Sequence, residues 1–598
     1  MAKDLLILFV IILMSASGNA IAFDIEAEAA KEEWLGRLLF VDGKSLVQNQ
    51  DFFLSQNGHL DALQELRATV KLIRKGDFSF ACKFPGRFAY LAPKFGINPA
   101  SIACENFRLW RESFEADGLS IMFASQYLEN PASSFGHTYL KINSKKKSLY
   151  LNKVISFAAT VPKEVGAAEY VWKGLMGGFP GIFNESPFYV LFQEYANMER
   201  RDIWEYELNL DSEETSQILA ILFEVIHFAK FDYLFLTDNC SSLLIRLIDI
   251  VAKKLFHASL PTYVIPIETV KVLDKKGMLK QTIYHPSITS RMVQQSEAMS
   301  AAEVHDFMMY VEKNRPLSRD STAKSLDLGL EYLNFQRQKH GGVLPDKKKR
   351  DFDQYLFLRA KETNLARKVE YKVLDPIKTS HPRRFSLGAM GVNDSPVGFA
   401  IQYRPLGRDF YDRPNGFAKE SEVNFFKTML YLDPAQTKDS WFTVDLIGIR
   451  KFSDYNSITK DLSWGANLSA GNQIREKCLS CYYSELDSHV GVGKSLWKDR
   501  MTGYVVFHPT VRVGNIAHKY NFLPQVEAGI INSSEKFVFK VAAFHGLVYD
   551  GYDKSSFNKS KTSLSWIISN EFSFNMDYEH FLHGAAWNSW MSGFSYYF

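Results

Sequence analysis

From about Arg384 onward the chain abandons any helical period. Segments of roughly ten residues instead alternate apolar with polar or small side chains. These are Phe385–Val392, Val397–Arg404, Glu422–Leu432, Trp441–Arg450, Leu462–Ala470, Tyr482–Gly493, Gly503–Gly514, Gln525–Ile531, Phe537–Val548, Ser563–Ser569 and Glu571–Tyr578, separated by turns rich in Asn, Asp, Gly, Lys and Ser. The closing run NSWMSGFSYYF puts Trp590, Phe594, Tyr596 and Phe598 on one face. Alternation at this length, with aromatics at segment ends, predicts a transmembrane antiparallel β-barrel of about 12 strands over residues 376–598. A soluble β-sandwich would also alternate, but the aromatic excess favours the barrel: aromatics make up 14% of the chain and much of that lies in the last third.

The N-terminus agrees. Residues 1–22, MAKDLLILFVIILMSASGNAIA, carry Lys3, an apolar core Leu5–Met14 and the small-residue sites Gly18-Asn19-Ala20 and Ala20-Ile21-Ala22. That is the layout of a cleaved secretory signal, and the apolar core is too short for a comfortable anchor helix. A terminal aromatic resembles the assembly signal of bacterial outer-membrane proteins, which makes the barrel-assembly machinery an expected partner. The expected location is a Gram-negative outer membrane, with the globular part in the periplasm. The net charge of +3 gives no reason to expect nucleic acid.

Between signal and barrel the texture changes three times. Residues 23–115 read as a helical lead-in, with helical periodicity over Asp24–Val41 and Leu60–Ile73; Cys82–Leu91 reads as a structured turn broken by Pro85 and Gly86. Residues 116–285 open as a β-meander: Leu119–Ser125, Gly136–Asn143 and Leu149–Ala159, then Gly174–Gly181 as a close-packed turn or lid, then strand Asp202–Leu210. Asp211 or Ser212 caps the helix Glu213–Phe228. Residues 286–375 are helical and charged, a connector built from Ala301–Asn314, Ser325–Gln338 and Arg350–Tyr371.

Five cysteines sit in a compartment where disulfides persist. Cys82 and Cys104, 22 residues apart, are candidates for one disulfide, and the CxxC of Cys478 and Cys481 for a local one. One CxxC without a second, and without a His pair, does not support a metal. Cys240 is left as the free thiol. It falls where the apolar run Tyr233–Leu236 breaks at Thr237-Asp238-Asn239 and passes into a helix with Leu243, Leu244, Leu247 and Ile248 on one side. In the first helical turn, backbone N–H groups and the helix dipole favour the thiolate. A free Cys is otherwise commonly a buried hydrophobe. A base is available in His137, which heads an alternating strand after the small residues Ala132, Ser133 and Ser134. The other histidine of this region, His227, lies mid-helix and reads as packed.

Together NPASSFGHTYLKI, RRDIWEYELNL and FLTDNCSSLL resemble the Lnb N-terminal periplasmic domain family over about residues 116–260. That family is similar to the permuted branch of the NlpC/P60 papain-like superfamily, in which His precedes Cys and to which lecithin–retinol acyltransferase belongs. The downstream barrel resembles the one that follows this domain in many Gram-negative chains. The resemblance implies an α+β fold: a permuted papain-like domain with helical lead-in and connector, followed by the barrel. It implies Cys240 as nucleophile and His137 as base. A third polar residue should orient the imidazole from the next strand, where Ser156 stands in place of an expected Asn. Oxyanion donors would be the Cys240 and Ser241 N–H groups, with Asn239 or Tyr127 assisting.

Three functions follow as expectations. The first is a Cys-dependent acyl transfer through a thioester, involving outer-membrane lipid or lipoproteins, as in the lipoprotein N-acyltransferases that Lnb-type members resemble. The second is a peptidoglycan amidase or endopeptidase. The third is a non-catalytic transport or assembly protein. Phe135, Trp172, Phe179, Phe183 and Tyr189 near the motifs favour lipid. No metal or nucleotide cofactor is expected.

Overall fold

A computed structural model describes residues 23–598 except 131–132, 163, 253–262, 319, 362–373, 394–395, 418–419, 434–439, 473–480, 497–500, 517–518, 550–553 and 584. The signal segment 1–22 and Cys478 therefore lie outside the described residues.

The periplasmic half is organised on a seven-stranded antiparallel sheet. Its strands are β1 (Gly118–Ala124), β2 (His137–Asn143), β3 (Lys153–Ala159), β4 (Phe179–Pro187), β5 (Ile203–Leu208), β6 (Phe231–Tyr233) and β7 (Leu279–His285). Their spatial order is β6-β4-β3-β2-β1-β5-β7. One face is covered by α4 (Ser212–Phe228) and α5 (Cys240–Ala252), after α1 (Ala62–Arg74), α2 (Pro85–Leu91) and α3 (Ala167–Met176) in chain order. The other face carries Met122, Tyr139 and Val154 under Phe188, Leu191 and Ala196, on a short helix that runs into a π-helical turn, Gln193–Met198. α4 starts as its sequence predicts: Asp211 accepts from Glu214 N–H, and the Glu214 carboxylate accepts from Asp211 N–H.

Two expectations change here. Cys82–Leu91 is not a turn throughout, because Pro85 takes the first position of α2, where its missing N–H costs nothing. The glycine-rich stretch divides between the end of α3, Gly177 and Gly178 at positive φ, and the start of β4. Close packing does hold at Gly174, where a Cβ would come within 2.1 Å of the Phe235 ring.

The lead-in shares the sheet domain's hydrophobic core, and a buried cation ties the two together. Arg87 on α2 reaches Glu224 on α4 (3.1 Å), Glu65 on α1 (3.2 Å) and the Phe52 carbonyl (2.7 Å), and its guanidinium lies over the Phe52 and Phe84 rings. Cys82 and Cys104 form the expected disulfide beside it. After the sheet domain come α6 (Pro266–Lys275) and a connector of α7 (Ile288–Glu297), α8 (Ala301–Lys313), α9 (Ala323–Lys339) and α10 (Asp346–Lys361). The connector has its own small core around Phe307, Tyr310, Leu333 and Tyr355.

Then the barrel begins. Its strands are β8 (Arg384–Val392), β9 (Gly398–Arg404, continued by Leu406–Arg408), β10 (Ser421–Leu432), β11 (Trp441–Lys451), β12 (Ser463–Gly471), β13 (Tyr483–Leu496), β14 (Met501–Gly514), β15 (Tyr520–Ser533), β16 (Phe537–Tyr549), β17 (Lys554–Ile567), β18 (Phe572–His583) and β19 (Ala585–Tyr597). Each pairs antiparallel with the next, and β8 also pairs with β19, so the twelve strands close. Closure leaves no unpaired edge facing lipid. The alternation reads directly as in and out. In β14, Val505, Phe507, Val511 and Val513 are exposed, while Tyr504, His508, Thr510 and Arg512 are buried. Phe537 and Trp566 stack at the end where the chain enters, as do Tyr596 and Phe598, giving an aromatic girdle there. Sequence reading shortened β17, because its first half, KSSFNKSKT, carries few outward apolar residues.

The interior is polar, with a cavity of ≈ 390 Å³ lined by both charge signs, among them Glu422, Lys427, Arg450, Asp487, Glu527 and Lys540. The segment after β9 tucks into the entry-end mouth. Asp409 pairs with Arg384 (2.7 Å), Asp412 pairs with Arg404 (2.8 Å), and the Tyr411 hydroxyl bonds Asp577.

The sheet domain seats on the entry end of the barrel. Gln126 donates to Ser421 (2.9 Å), Arg200 pairs with Asp461 (2.8 Å), and Glu268 on α6 meets His381 (2.6 Å). Glu422 faces the lumen, so by strand alternation Ser421, Val423 and Phe425 face outward. Phe425 and its cross-strand partner Leu406 both join the sheet domain's own core, with Phe135 against Phe425 and Phe123 against Phe417.

Removing one partner of a buried ion pair leaves an uncompensated charge. Arg87→Met should therefore destabilise the periplasmic half by about 3–5 kcal/mol. The expected readout is a lowered urea midpoint of the full protein in detergent micelles; an unchanged midpoint refutes it.

Candidate active site

Asn239 builds the site. Its Oδ1 accepts from the N–H groups of Ser241 (3.1 Å) and Ser242 (3.2 Å) and from the Ser241 hydroxyl (2.8 Å). Its Nδ2 donates to the carbonyls of Phe235 (3.0 Å) and Val264 (2.7 Å). This one side chain caps α5 and ties it to two neighbouring segments, so Cys240 is held as the first helical residue. Asn239 and Ser241 are thus spent on the cap in this state. The Tyr127 hydroxyl turns to Glu129 in its own loop (2.9 Å).

Cys240 is buried and is the one free thiol among the described residues. β2 delivers His137 and Thr138 to it, and the Thr138 hydroxyl lies 3.9 Å from Sγ. Gly136 makes this approach possible. It sits at φ +97°, where a Cβ would come within 2.5 Å of the Phe123 ring. Burial pushes the thiol pKa up, but the His137 imidazole and the Thr138 N–H and hydroxyl favour the thiolate more strongly, bringing it down from 9.0 to about 7.

Two residues not foreseen from sequence complete the surroundings. The Tyr233 hydroxyl accepts from the Cys240 N–H (3.4 Å), standing where a substrate oxyanion would meet that donor. Glu194, on the π-helical turn, acts electrostatically on His137. Its own pKa is raised, chiefly by burial and also by Glu199, against the pull of His137 and Arg201. The π turn was the available signal, since such turns collect at functional sites, but a sequence does not display it. Tyr195 packs its ring 5.7 Å from the His137 ring. His137 Nε2 is buried and has no hydrogen-bond partner among the described residues. Ser156, on β3, makes no side-chain hydrogen bond to it there. His227 is packed in α4, with Nδ1 on the Phe223 carbonyl and its ring against Trp110 and Phe223. Among the described residues no group of three or more His, Cys, Asp or Glu side chains is arranged to hold a metal ion. Cys481 is disulfide-bonded in the barrel loop that also contains the undescribed Cys478.

A thiol at a capped helix start beside a strand-borne histidine is the geometry expected of a papain-like domain. Residues 106–276 match the Lnb N-terminal periplasmic domain family. Residues 374–597 and 29–94 match two families described as domains of unknown function, DUF7840 and DUF7843. No curated protein matches the chain. Solved structures similar to the barrel include a loop-deleted OmpT of Vibrio cholerae (6% identity, 37% of this chain and 99% of that one, TM-score 0.22). The KdgM porin with oligogalacturonate is also similar (10%, 36% and 99%, 0.21), as is the β domain of the Bordetella autotransporter BrkA (11%, 36% and 97%, 0.20). The chain is an outer-membrane β-barrel carrying an Lnb N-terminal domain in the periplasm, and its barrel contacts membrane lipid.

Because the thiolate is the reactive form, the rate of Cys240 alkylation by iodoacetamide should rise with pH to a midpoint near 7. In His137→Ala, burial acts without the opposing imidazole, and the midpoint should move up by about two units or more. Equal midpoints in the two proteins would refute the pairing.

Proposed function

We propose that the Lnb N-terminal domain is a thiol-dependent acyltransferase that takes its acyl group from a membrane lipid. The observation that carries this reading is the position of the Cys240–His137 pair. The loop leading to His137 packs Phe135 against Phe425 on the outer wall of a lipid-embedded barrel. That placement sets the pair beside the lipid that would donate the acyl chain.

In the first half-reaction the Cys240 Sγ attacks the ester carbonyl carbon of the lipid. The C–S bond forms, the C–O bond breaks, and the His137 imidazolium gives its proton to the departing alkoxide. In the second, an amine attacks the thioester: the C–N bond forms, the C–S bond breaks, and the amine's proton returns to the Cys240–His137 pair. The developing oxyanion meets the Cys240 N–H, with the Tyr233 O–H turned to donate. For the third polar residue of the site we assign Glu194 over Ser156, since the Glu194 carboxylate bears electrostatically on the imidazole and Ser156 makes no hydrogen bond to it among the described residues.

Mass spectrometry of the protein after incubation with native membranes should find an acyl adduct on Cys240, absent from Cys240→Ala and His137→Ala. Tyr233→Phe should slow its formation by about 10²-fold, the usual cost of one oxyanion donor. Glu194→Gln should raise the Cys240 alkylation midpoint, and Ser156→Ala should leave it in place. Cys240-dependent release of muropeptides with no adduct would overturn the assignment in favour of an amidase. A Cys240→Ala strain indistinguishable from wild type would overturn it in favour of a non-catalytic role.

A further inference from the structure

The sheet's direction fixes which of its ends lies nearest the membrane. β1 ends at Ala124, opposite the first residue of β2, His137. The loop joining them is the one that bonds Ser421 and packs on Phe425 at the barrel's entry end. β3 runs antiparallel to β2, so it finishes at that same end, and β4 starts there, with Ala159 opposite Gly181. α3 is the excursion between the two. It therefore projects from the membrane-facing end of the sheet, on the β4–β6 side and away from the β5–β7 edge.

The inner face of α3 is committed to the site. The Tyr170 hydroxyl donates to Asn130 (3.0 Å) and its ring packs against Phe235 (5.2 Å). The Gly174 carbonyl accepts from the Phe235 N–H (2.8 Å), and the Phe235 carbonyl in turn takes the Asn239 cap. The outer face is uncovered and amphipathic, with the exposed ion pair Lys173–Glu169 (2.7 Å) beside its apolar residues. Trp172 and Met176, one turn apart, are each 64% exposed. Large apolar side chains this exposed, adjoining one another, mark a contact with something apolar. The loop that Tyr170 bonds is the one seated on the barrel. On β10 the alternation slips at Phe426 (φ +52°), since Lys427 and Met429 line the lumen, so Phe426, one residue beyond the covered Phe425, also lies on the outer wall and is 53% exposed.

We propose that α3 dips into the inner leaflet of the outer membrane, and that Trp172 and Met176, with Phe426 on the barrel wall, flank the path along which an acyl chain of a glycerophospholipid reaches Cys240. This rests on the acyl-transfer reading for its destination but not for the insertion of α3. A Trp at the interface suits its amphipathic ring. The Tyr170–Phe235–Asn239 chain joins α3 to the cap of Cys240, so the helix keeps a fixed place relative to the thiol.

The test uses the full protein refolded into phosphatidylcholine vesicles, with either ordinary or brominated acyl chains. Subtracting the emission of Trp172→Phe from wild type isolates Trp172, and Trp566→Phe does the same for a residue of the barrel girdle. The expected result is that brominated chains quench Trp172 to a degree comparable with Trp566. A Trp172 contribution that brominated chains leave unquenched overturns the proposal, whether or not a concentration-dependent spectral shift marks a second copy of the chain as the occupant. In the double variant Trp172→Glu, Met176→Glu, the Cys240 adduct from vesicle lipid should be lost while iodoacetamide alkylation proceeds as in wild type. If wild type itself carries no adduct, the acyl-transfer reading fails, and the quenching alone still decides whether α3 inserts.

Discussion

The periplasmic domain and the barrel share a hydrophobic core, and that shared burial governs the rest of the molecule. A barrel strand in a membrane normally turns its outer side chains to lipid. Here Leu406, Val423 and Phe425 on the outer wall are withdrawn from it, and Leu406 and Phe425 are packed into the core that also holds Phe123 and Phe135. Apolar burial is non-directional, so on its own it would let the domain slide over the rim. The polar contacts Gln126–Ser421, Arg200–Asp461 and Glu268–His381 fix the angle. The consequence is positional: His137 begins its strand within two residues of a side chain resting on the barrel.

The barrel was legible because a strand in lipid has a strict period of two and nowhere to hide an exception. The segment boundaries read from residues 385–578 differ from the observed strands by a few residues, except in β15, β17 and β18. In β17, Ser and Lys replace outward apolar side chains and the alternation fades. The helix of α2 was not legible, since Pro85 and Gly86 are breakers everywhere but at a helix start. Nor were α3 and β4, whose glycines serve close packing at Gly174 and a helix end at Gly177, so they conceal the elements they join.

The site was half legible. Cys240 could be singled out because five cysteines make an odd number and because a polar break precedes an apolar helix. His137 followed from its place at the head of a strand. Tyr233 and Glu194 could not be found in the same way. Tyr233 lies in an apolar strand, where a tyrosine reads as core. Glu194 lies on a π-helical turn, a feature of backbone geometry that no spacing encodes. Asn239 was read as an oxyanion donor because it neighbours the nucleophile; its five hydrogen bonds make it the fastener of the helix.

The odd cysteine also has a meaning for biogenesis. An exported chain crosses an oxidising compartment with every thiol exposed before it folds, and any two of them can be joined there. Cys82 and Cys104 are drawn together by short-range structure, and Cys481 finds its bond in a barrel loop. Cys240 is buried in the folded domain, at the start of α5, with the Tyr233 hydroxyl on its N–H. Folding is thus its redox protection: the same burial that would raise the pKa of an isolated thiol withdraws this one from the chain's other thiols.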